Sequence, residues 1–356
     1  MIIFVYGTTA EAIKLAPIVR RLNERGIPHQ HWLTFQHTEA LRKLMPVLGL
    51  PQPDLVIADG ARGKPLRTRG DVLIWLGSVS WWTLRNLFTL RKTLPKNSVL
   101  IVHGDTMTSV VGAILAKLIG KPSAHVEAGL RSGNWRHPFP EELDRRIVGG
   151  LAQVHYTPSP EATQNLKGKS GIVFTHGNTV IDAVLDGQKS VSKNPSQTGV
   201  VLLHRFEFIS NKEFVEQTLS VLTQRSPVPL SFVVDVYSRD NIENALNNFP
   251  EAGHKVVSKL AHQDFVELLG NAAFVVTDSG GIQEETALIG VPTIVHRVAT
   301  ERQEGIGRNV LLSGWDLDVL GEFLVDHDNY RKPQLKPEQS PSDIIVEDLI
   351  NRGFAT

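Results

Sequence analysis

The sequence predicts an α/β protein with parallel sheets, divided into two domains. Two observations carry the fold class: short apolar runs of β-forming residues recur along the chain, and each ends at a glycine-rich or polar turn that leads into a segment with helical apolar spacing. A third sets the domain number, because 356 residues exceed one typical core and fit two domains of ordinary size.

Composition narrows the function classes. A content of 41% hydrophobic and 21% charged residues is that of a soluble globular protein. Thirty-seven Lys and Arg balance thirty-seven Asp and Glu, so no global field favours nucleic acid or an anionic membrane, and any anion site must be local. The lack of cysteine excludes disulfides, thiolate catalysis and cysteine-ligated zinc, and fits a reducing compartment. The apolar start at residues 1–6 meets a glycine turn too early for a signal peptide, and no run reaches the roughly 18 apolar residues of a membrane span. A cytoplasmic location is the expectation.

Taken in order, residues 2–6 read as a buried strand, and Gly7 to Glu11 turn it into a helix that runs towards Arg25 and is ended by Gly26 and Pro28. Thr8 and Glu11 have capping-box spacing. Lys14, on the first turns of that helix, can reach an anion held at the strand's end, although a solvated surface lysine is the plainer reading. A second strand near residues 31–35 leads through Gln36, His37, Thr38 and Glu39 to another helix. Residues 60–70, rich in glycine and arginine without apolar period, read as a loop. Residues 72–94 resume a helical pattern whose Trp75, Trp81 and Trp82 suit core and interface packing.

Residues 98–102 form the next strand, 103–106 its turn and 109–119 a helix, after which Gly120 and Pro122 introduce a strand ending at 125–129. Asp105 and Glu127 thus fall at carboxyl ends of strands, where open α/β sheets place their ligands. Asp105 with Thr106 also suits a plain helix cap, whereas Glu127, between Val126 and Ala128, caps nothing obvious. Residues 131–146 concentrate Arg131, Arg136, His137 and Arg145 beside these carboxylates, with Pro138 and Pro140 leading into a helix opened by Glu141 and Glu142. An anionic, polar ligand explains that density.

In the second half, strands are expected at 172–175, 200–203, 229–237 and 255–259, with helices at 178–185 and 263–270 and a surface linker at 187–199. His204 ends the second of these strands, in the place of either a turn residue or a catalytic one. Residues 272–302 carry the clearest unit: a strand at 272–277, the turn Asp278-Ser279-Gly280-Gly281, a helix stopped by Gly290 and Pro292, and a strand at 293–296. Such a turn exposes N–H groups at a helix N-terminus where a phosphate can sit, and Glu285 can accept from a vicinal diol such as ribose. An ordinary αβ turn is the competing reading. Residues 342–352 read as a final helix.

Taken together, GTTAEAIKLAP (7–17), HGDT (103–106), HVEAGLRSGN (125–134), HPFPEELDRR (137–146), GNTVIDA (177–183), TDSGGIQEE (277–285) and TERQE (300–304) resemble the UDP-N-acetylglucosamine 2-epimerase family, in family order over nearly the whole chain. The resemblance implies two Rossmann-like domains facing across a cleft, of GT-B type. An N-terminal domain (1–170) would carry the catalytic carboxylates, with a C-terminal helix (342–356) packing back on it, and residues 171–341 would form the nucleotide-binding domain. Asp105, Glu127, Glu141 and His204 are implied as catalytic. Ser279, Gly280 and Gly281 would hold the diphosphate, Glu285 the ribose and Arg302 the phosphates, while Thr9, Lys14, Arg131, Arg145 and Arg205 join the substrate-binding set.

The implied reaction inverts C2 of UDP-GlcNAc to UDP-ManNAc through a 2-acetamidoglucal, for cell-surface polysaccharide or related sugar biosynthesis. It needs no redox cofactor or metal, and the family habit is a homodimer. Five positions depart from the family's usual residues: Thr9, Thr38 and Phe206 stand for arginine, Phe208 for asparagine, and Asp144 for asparagine. These departures keep open a modified UDP-sugar substrate and a nucleotide-sugar-binding protein without turnover, and water access keeps open a hydrolysing epimerase that releases ManNAc and UDP. Family regulation by a second substrate site near Gln36 and Thr38 is an open question for this chain.

Overall fold

The computed structural model describes residues 1–66, 68–133, 140–187, 197–234, 238–249, 253–258, 260, 262–300 and 302–355. Arg136, His137 and Pro138, most of the expected linker and the last residues of the expected 229–237 and 255–259 strands lie outside the described residues. Two compact units form: Met1–Ala183 with Pro337–Thr356, and Val184–Lys336.

The first unit alternates β1 (Ile2–Tyr6), α1 (Thr9–Glu24), β2 (His29–Leu33), α2 (Thr38–Val47), β3 (Leu55–Val56), α3 (Arg69–Thr93), β4 (Val99–His103), α4 (Met107–Ile119), β5 (Ser123–Val126), α5 (Glu141–Leu151), β6 (Val154–Thr157), α6 (Pro160–Asn165), β7 (Ile172–Phe174) and the start of α7 (Val180–Gly187). Its seven strands pair in parallel in the order β3-β2-β1-β4-β5-β6-β7. The strand at 172–174, assigned from sequence to the second domain, hydrogen-bonds to β6 and belongs to this sheet. Residues 151–170, which carry no expected element, fold as β6 and α6.

Both faces of the sheet are covered, so its strands read as continuous apolar runs. Ile2, Phe4 and Tyr6 enter one core with α1 and α2, while Ile3 and Val5 enter another with α3 and α4. Trp75 is buried and donates Nε1–H to Thr34 O at 2.9 Å. Trp82 packs edge-on to Trp32. Trp81 is not a core residue: it is 68% exposed, because six residues along α3 turn it about a third of a turn away from the buried Trp75.

The second unit contains β8 (Gly199–Leu202), α8 (Phe206–Ile209), α9 (Lys212–Arg225), β9 (Leu230–Val234), α10 (Arg239–Leu246), β10 (Lys255–Ser258), α11 (His262–Asn271), β11 (Val275–Thr277), α12 (Gly280–Ile289), β12 (Thr293–Val295), β13 (Val310–Leu312) and α13 (Leu317–Asp326). Six parallel strands run in the order β10-β9-β8-β11-β12-β13. The chain then returns to the first unit as α14 (Pro341–Asn351), whose Ile345, Val346 and Leu349 complete the core beside α1. Among the described residues no helix is long and apolar enough to cross a membrane.

In each sheet the strand order reverses once, between β1 and β4 in the first and between β8 and β11 in the second. Parallel α/β sheets bind ligands beyond the carboxyl ends of their strands at such reversals. The residues that follow those four strands are therefore the ones placed for chemistry.

Candidate functional site

In the first unit the reversal is held by Glu11. Its Oε2 accepts from Gly7 N at 3.0 Å, Thr8 N at 2.8 Å and Thr8 Oγ1 at 2.8 Å, and its Oε1 from Thr106 Oγ1 at 2.7 Å and Ser109 Oγ at 3.3 Å. The capping box at the start of α1 is thus also a tie between the β1–α1 and β4–α4 turns. Burial raises the Glu11 carboxyl above its ordinary value, against the opposing effect of these hydrogen bonds.

One turn further along α1, Lys14 is buried and its Nζ contacts Glu127 Oε2 at 2.5 Å. Glu127 follows β5 with φ 63°, a left-handed conformation that a side chain with a Cβ rarely adopts. That outlier is the kind of strain that surrounding contacts must hold in place. Asn178 Nδ2 donates to the same carboxylate oxygen, and His103 Nε2 lies 3.6 Å from it. The solvated-lysine reading of Lys14 is thereby set aside. Asn178 and His103, both inside the motif segments, are functional candidates that the sequence reading did not single out.

Asp105, at the end of neighbouring β4, pairs with Arg145 Nη2 on α5. Arg145 is oriented from behind by Glu142, which is fully buried, lies 3.6 Å from Arg145 Nη1 and also faces Arg146 at 3.0 Å and Arg131 at 4.0 Å. Arg131 donates in addition to Leu130 O at 2.7 Å. Among the described residues one buried oxygen of Glu141 finds no hydrogen-bond partner, and neither does one of Asp144. Burial first, then the charges of Asp105 and Glu141, push the Asp144 carboxyl up to about 7. The structure therefore brings together Lys14 with Glu127, and Asp105 with Arg145 and the acidic first turn of α5. Thr9 is placed apart from these pairs, with its Oγ1 3.4 Å from His37 Nδ1.

In the second unit Asp278 ends β11 and is buried. Its Oδ2 accepts from the backbone N–H groups of His204 at 2.9 Å and Arg205 at 2.8 Å, across the reversal from β8, and Arg205 Nε donates to Asp278 O at 2.9 Å. Helix α12 then opens at Ser279-Gly280-Gly281, where Ser279 makes no capping hydrogen bond. A Cβ added to Gly281 would meet nothing nearer than Ser279 Oγ at 3.9 Å, so packing within the chain leaves room for a side chain there. Glu285 is buried and its Oε1 lies 3.0 Å from His262 Nε2, while its Oε2 has no hydrogen-bond partner among the described residues. Arg302 Nη1 pairs with Glu284 at 2.8 Å, on a loop that Gln283 ties to α12 through Arg302 O and Glu304 O.

Phe208, where the resemblance implies an asparagine, is 1% exposed in the second core, against Phe214 and His296. It is a packing residue here. His262 had no signal in the sequence, because only the fold brings α11 beside α12.

Replacing Gly281 by alanine is expected to leave thermal stability unchanged or slightly raised, since alanine favours a helix by up to about 1 kcal/mol. Calorimetry with a nucleoside diphosphate should show weakened binding, and unchanged affinity would exclude a phosphate at this turn. Asp144 gives a pH test. A carboxyl raised from 3.8 to about 7 binds more protons folded than unfolded between those values, so its ionisation costs stability. The cost is absent below the unfolded value, grows as pH rises towards about 7 and is constant above it. Asp144→Asn should therefore raise the unfolding midpoint more at about pH 8 than at about pH 5; an equal gain at both would contradict the shift.

Comparison with known proteins places the whole chain. The family profile described as UDP-N-acetylglucosamine 2-epimerase matches residues 20–316. The UDP-N-acetylglucosamine 2-epimerase of Bacillus subtilis is 32% identical over 92% of this chain and 88% of its own length. That of Campylobacter jejuni is 30% identical over 93% and 91%. Among solved structures, the Methanocaldococcus jannaschii UDP-GlcNAc 2-epimerase in complex with UDP-GlcNAc and UDP superposes with a TM-score of 0.80 at 27% identity, covering 98% of this chain and 99% of that one. The chain belongs to the UDP-N-acetylglucosamine 2-epimerase family.

Proposed function

We propose that the protein inverts C2 of UDP-GlcNAc to give UDP-ManNAc, with the carboxylates of the first unit acting on the sugar and the second unit holding the nucleotide. The observation that carries this reading is Glu127, a buried carboxylate in a left-handed conformation at a strand end, gripped by Lys14 and Asn178 beside the Asp105–Arg145 pair. A carboxylate held so firmly is suited to moving a proton at a fixed atom.

The C2 proton is too weakly acidic for direct removal. A carboxylate takes it as the C1–O bond breaks, the C2–H electron pair becomes the C1–C2 double bond, and the C1–O pair leaves with UDP. A second carboxyl then protonates C2 of the 2-acetamidoglucal from the other face while a diphosphate oxygen rebonds to C1. Asp105, Glu127 and Glu141 are the groups for these transfers. The α12 N-terminus at Ser279-Gly280-Gly281, Arg205 and Arg302 stabilise the departing diphosphate, Glu285 holds the ribose through the oxygen left open by His262, and His204 exchanges a proton with the diphosphate. Thr9, Lys14, Arg131 and Arg145 complete the substrate-binding set. A cysteine-free chain acting on a nucleotide sugar fits the cytoplasm, and the product suits polysaccharide assembly.

The homodimer reading is supported by α3, which leaves Leu73, Trp81, Leu84 and Phe88 each 68–71% exposed at helical spacing on one side. A second copy of the same helix would cover this stripe.

Incubation with UDP-GlcNAc in deuterated water should place deuterium at C2 and produce UDP-ManNAc by proton NMR. Free ManNAc with UDP would instead make it a hydrolysing epimerase. Glu127→Gln is expected to cut turnover by roughly 10²–10⁴-fold, and an unchanged rate would sink the carboxylate mechanism. Light scattering should find twice the chain mass, falling to one chain on Trp81→Glu with Leu84→Glu; a monomeric wild type would reject the dimer.

A further inference from the structure

We infer that Asp278 is a positioning residue for His204, fixing which ring nitrogen exchanges protons. The inference rests on the reading of His204 as catalytic and adds the residue that sets its chemistry. Three features of the second unit carry it.

First, Nδ1 of His204 lies in ion-pair contact with Asp278 Oδ1 at 3.1 Å, and among the described residues neither atom has a hydrogen-bond partner. Second, the His204 side chain is 37% exposed although its Nδ1 is buried, so the exposed part of the ring is the remainder, which carries Nε2. Third, Asp278 is itself immobilised: it is 1% exposed, and its other oxygen is occupied by the N–H groups of His204 and Arg205. A carboxylate beside Nδ1 takes its proton as a hydrogen bond and leaves Nε2 as the nitrogen that gains and loses one. The same residue precedes Ser279-Gly280-Gly281, so one anchor sets the imidazole and the start of the anion turn together.

This geometry makes Asp278→Asn a selective test. The backbone N–H groups of His204 and Arg205 require an acceptor at the Oδ2 position, so an asparagine must place its carbonyl oxygen there and turn its NH2 towards Nδ1. The imidazole then has to accept at Nδ1 and carry its proton on Nε2. The backbone donors stay satisfied, while the tautomer is inverted.

The experiment combines NMR of the full-length enzyme selectively labelled with ¹⁵N-histidine, the His204 signals being identified by their loss in His204→Gln, with steady-state epimerisation kinetics. The wild type should show the Nδ1–H tautomer and Asp278→Asn the Nε2–H tautomer. Asp278→Asn should lower kcat by roughly 10²–10⁴-fold with UDP affinity near that of wild type, and should cost nothing further when added to His204→Gln. An Nε2–H tautomer in the wild type overturns the proposal, and that measurement decides even if Asp278→Asn does not fold. A wild-type kcat in Asp278→Asn beside a crippled His204→Gln also overturns it, as does an equal loss from Asp278→Asn in both backgrounds. If His204→Gln turns over like wild type, the catalytic reading of His204 falls and this inference with it.

Discussion

A buried carboxylate bound by neutral donors organises the first unit. Among the described residues Glu11 accepts from two backbone N–H groups and the Thr8 hydroxyl at its own helix start and from two hydroxyls of the neighbouring turn. Lys14 lies one turn away on the same helix, at the spacing of an ordinary i,i+3 pair. Glu11 takes its hydrogen bonds from the turns, and the Lys14 ammonium meets Glu127. Two opposite charges buried in contact offset each other's desolvation, so Lys14 and Glu127 hold one another in place beside the tie that Glu11 makes.

The second unit meets the same demand differently. Asp278 also sits where the strand order reverses, and it also accepts from two backbone N–H groups, but its remaining oxygen faces an ionisable ring instead of a hydroxyl. In both units a carboxylate ties together the turns that follow two neighbouring strands. The parallel sheet therefore supplies the location, and the carboxylate supplies the rigidity that a reacting group needs.

The alternation of strands and helices was legible because buried parallel strands are uniformly apolar and their turns are rich in glycine. The placements of Asp105, Glu127 and His204 at strand ends followed from the same pattern. Other features depended on partners distant in sequence. Whether Lys14 met solvent or a carboxylate turned on a strand more than a hundred residues away. The strand at 172–174 lies just past a plausible boundary, and only its pairing with β6 assigns it. Phe208 read as a lost polar group because its motif is functional, yet its side chain points into a core that motif comparison does not see. Trp81 and Trp75 look alike in sequence, and the helix rotation separates them.

The return of α14 to the first unit has a consequence for biosynthesis. Ile345, Val346 and Leu349 are fully buried in the core of that unit, Tyr156 Oη donates to Asp348 at 2.9 Å, and Ser342 N donates to Asp182 at 2.8 Å. During synthesis the first unit leaves the ribosome ahead of the second but lacks one wall of its core until α14 emerges. The second unit, continuous from 184 to 336, has all its strands in hand before then. Although domains made first usually fold first, here the later unit is the one able to finish its core first, and the apolar surface beside α1 waits for α14.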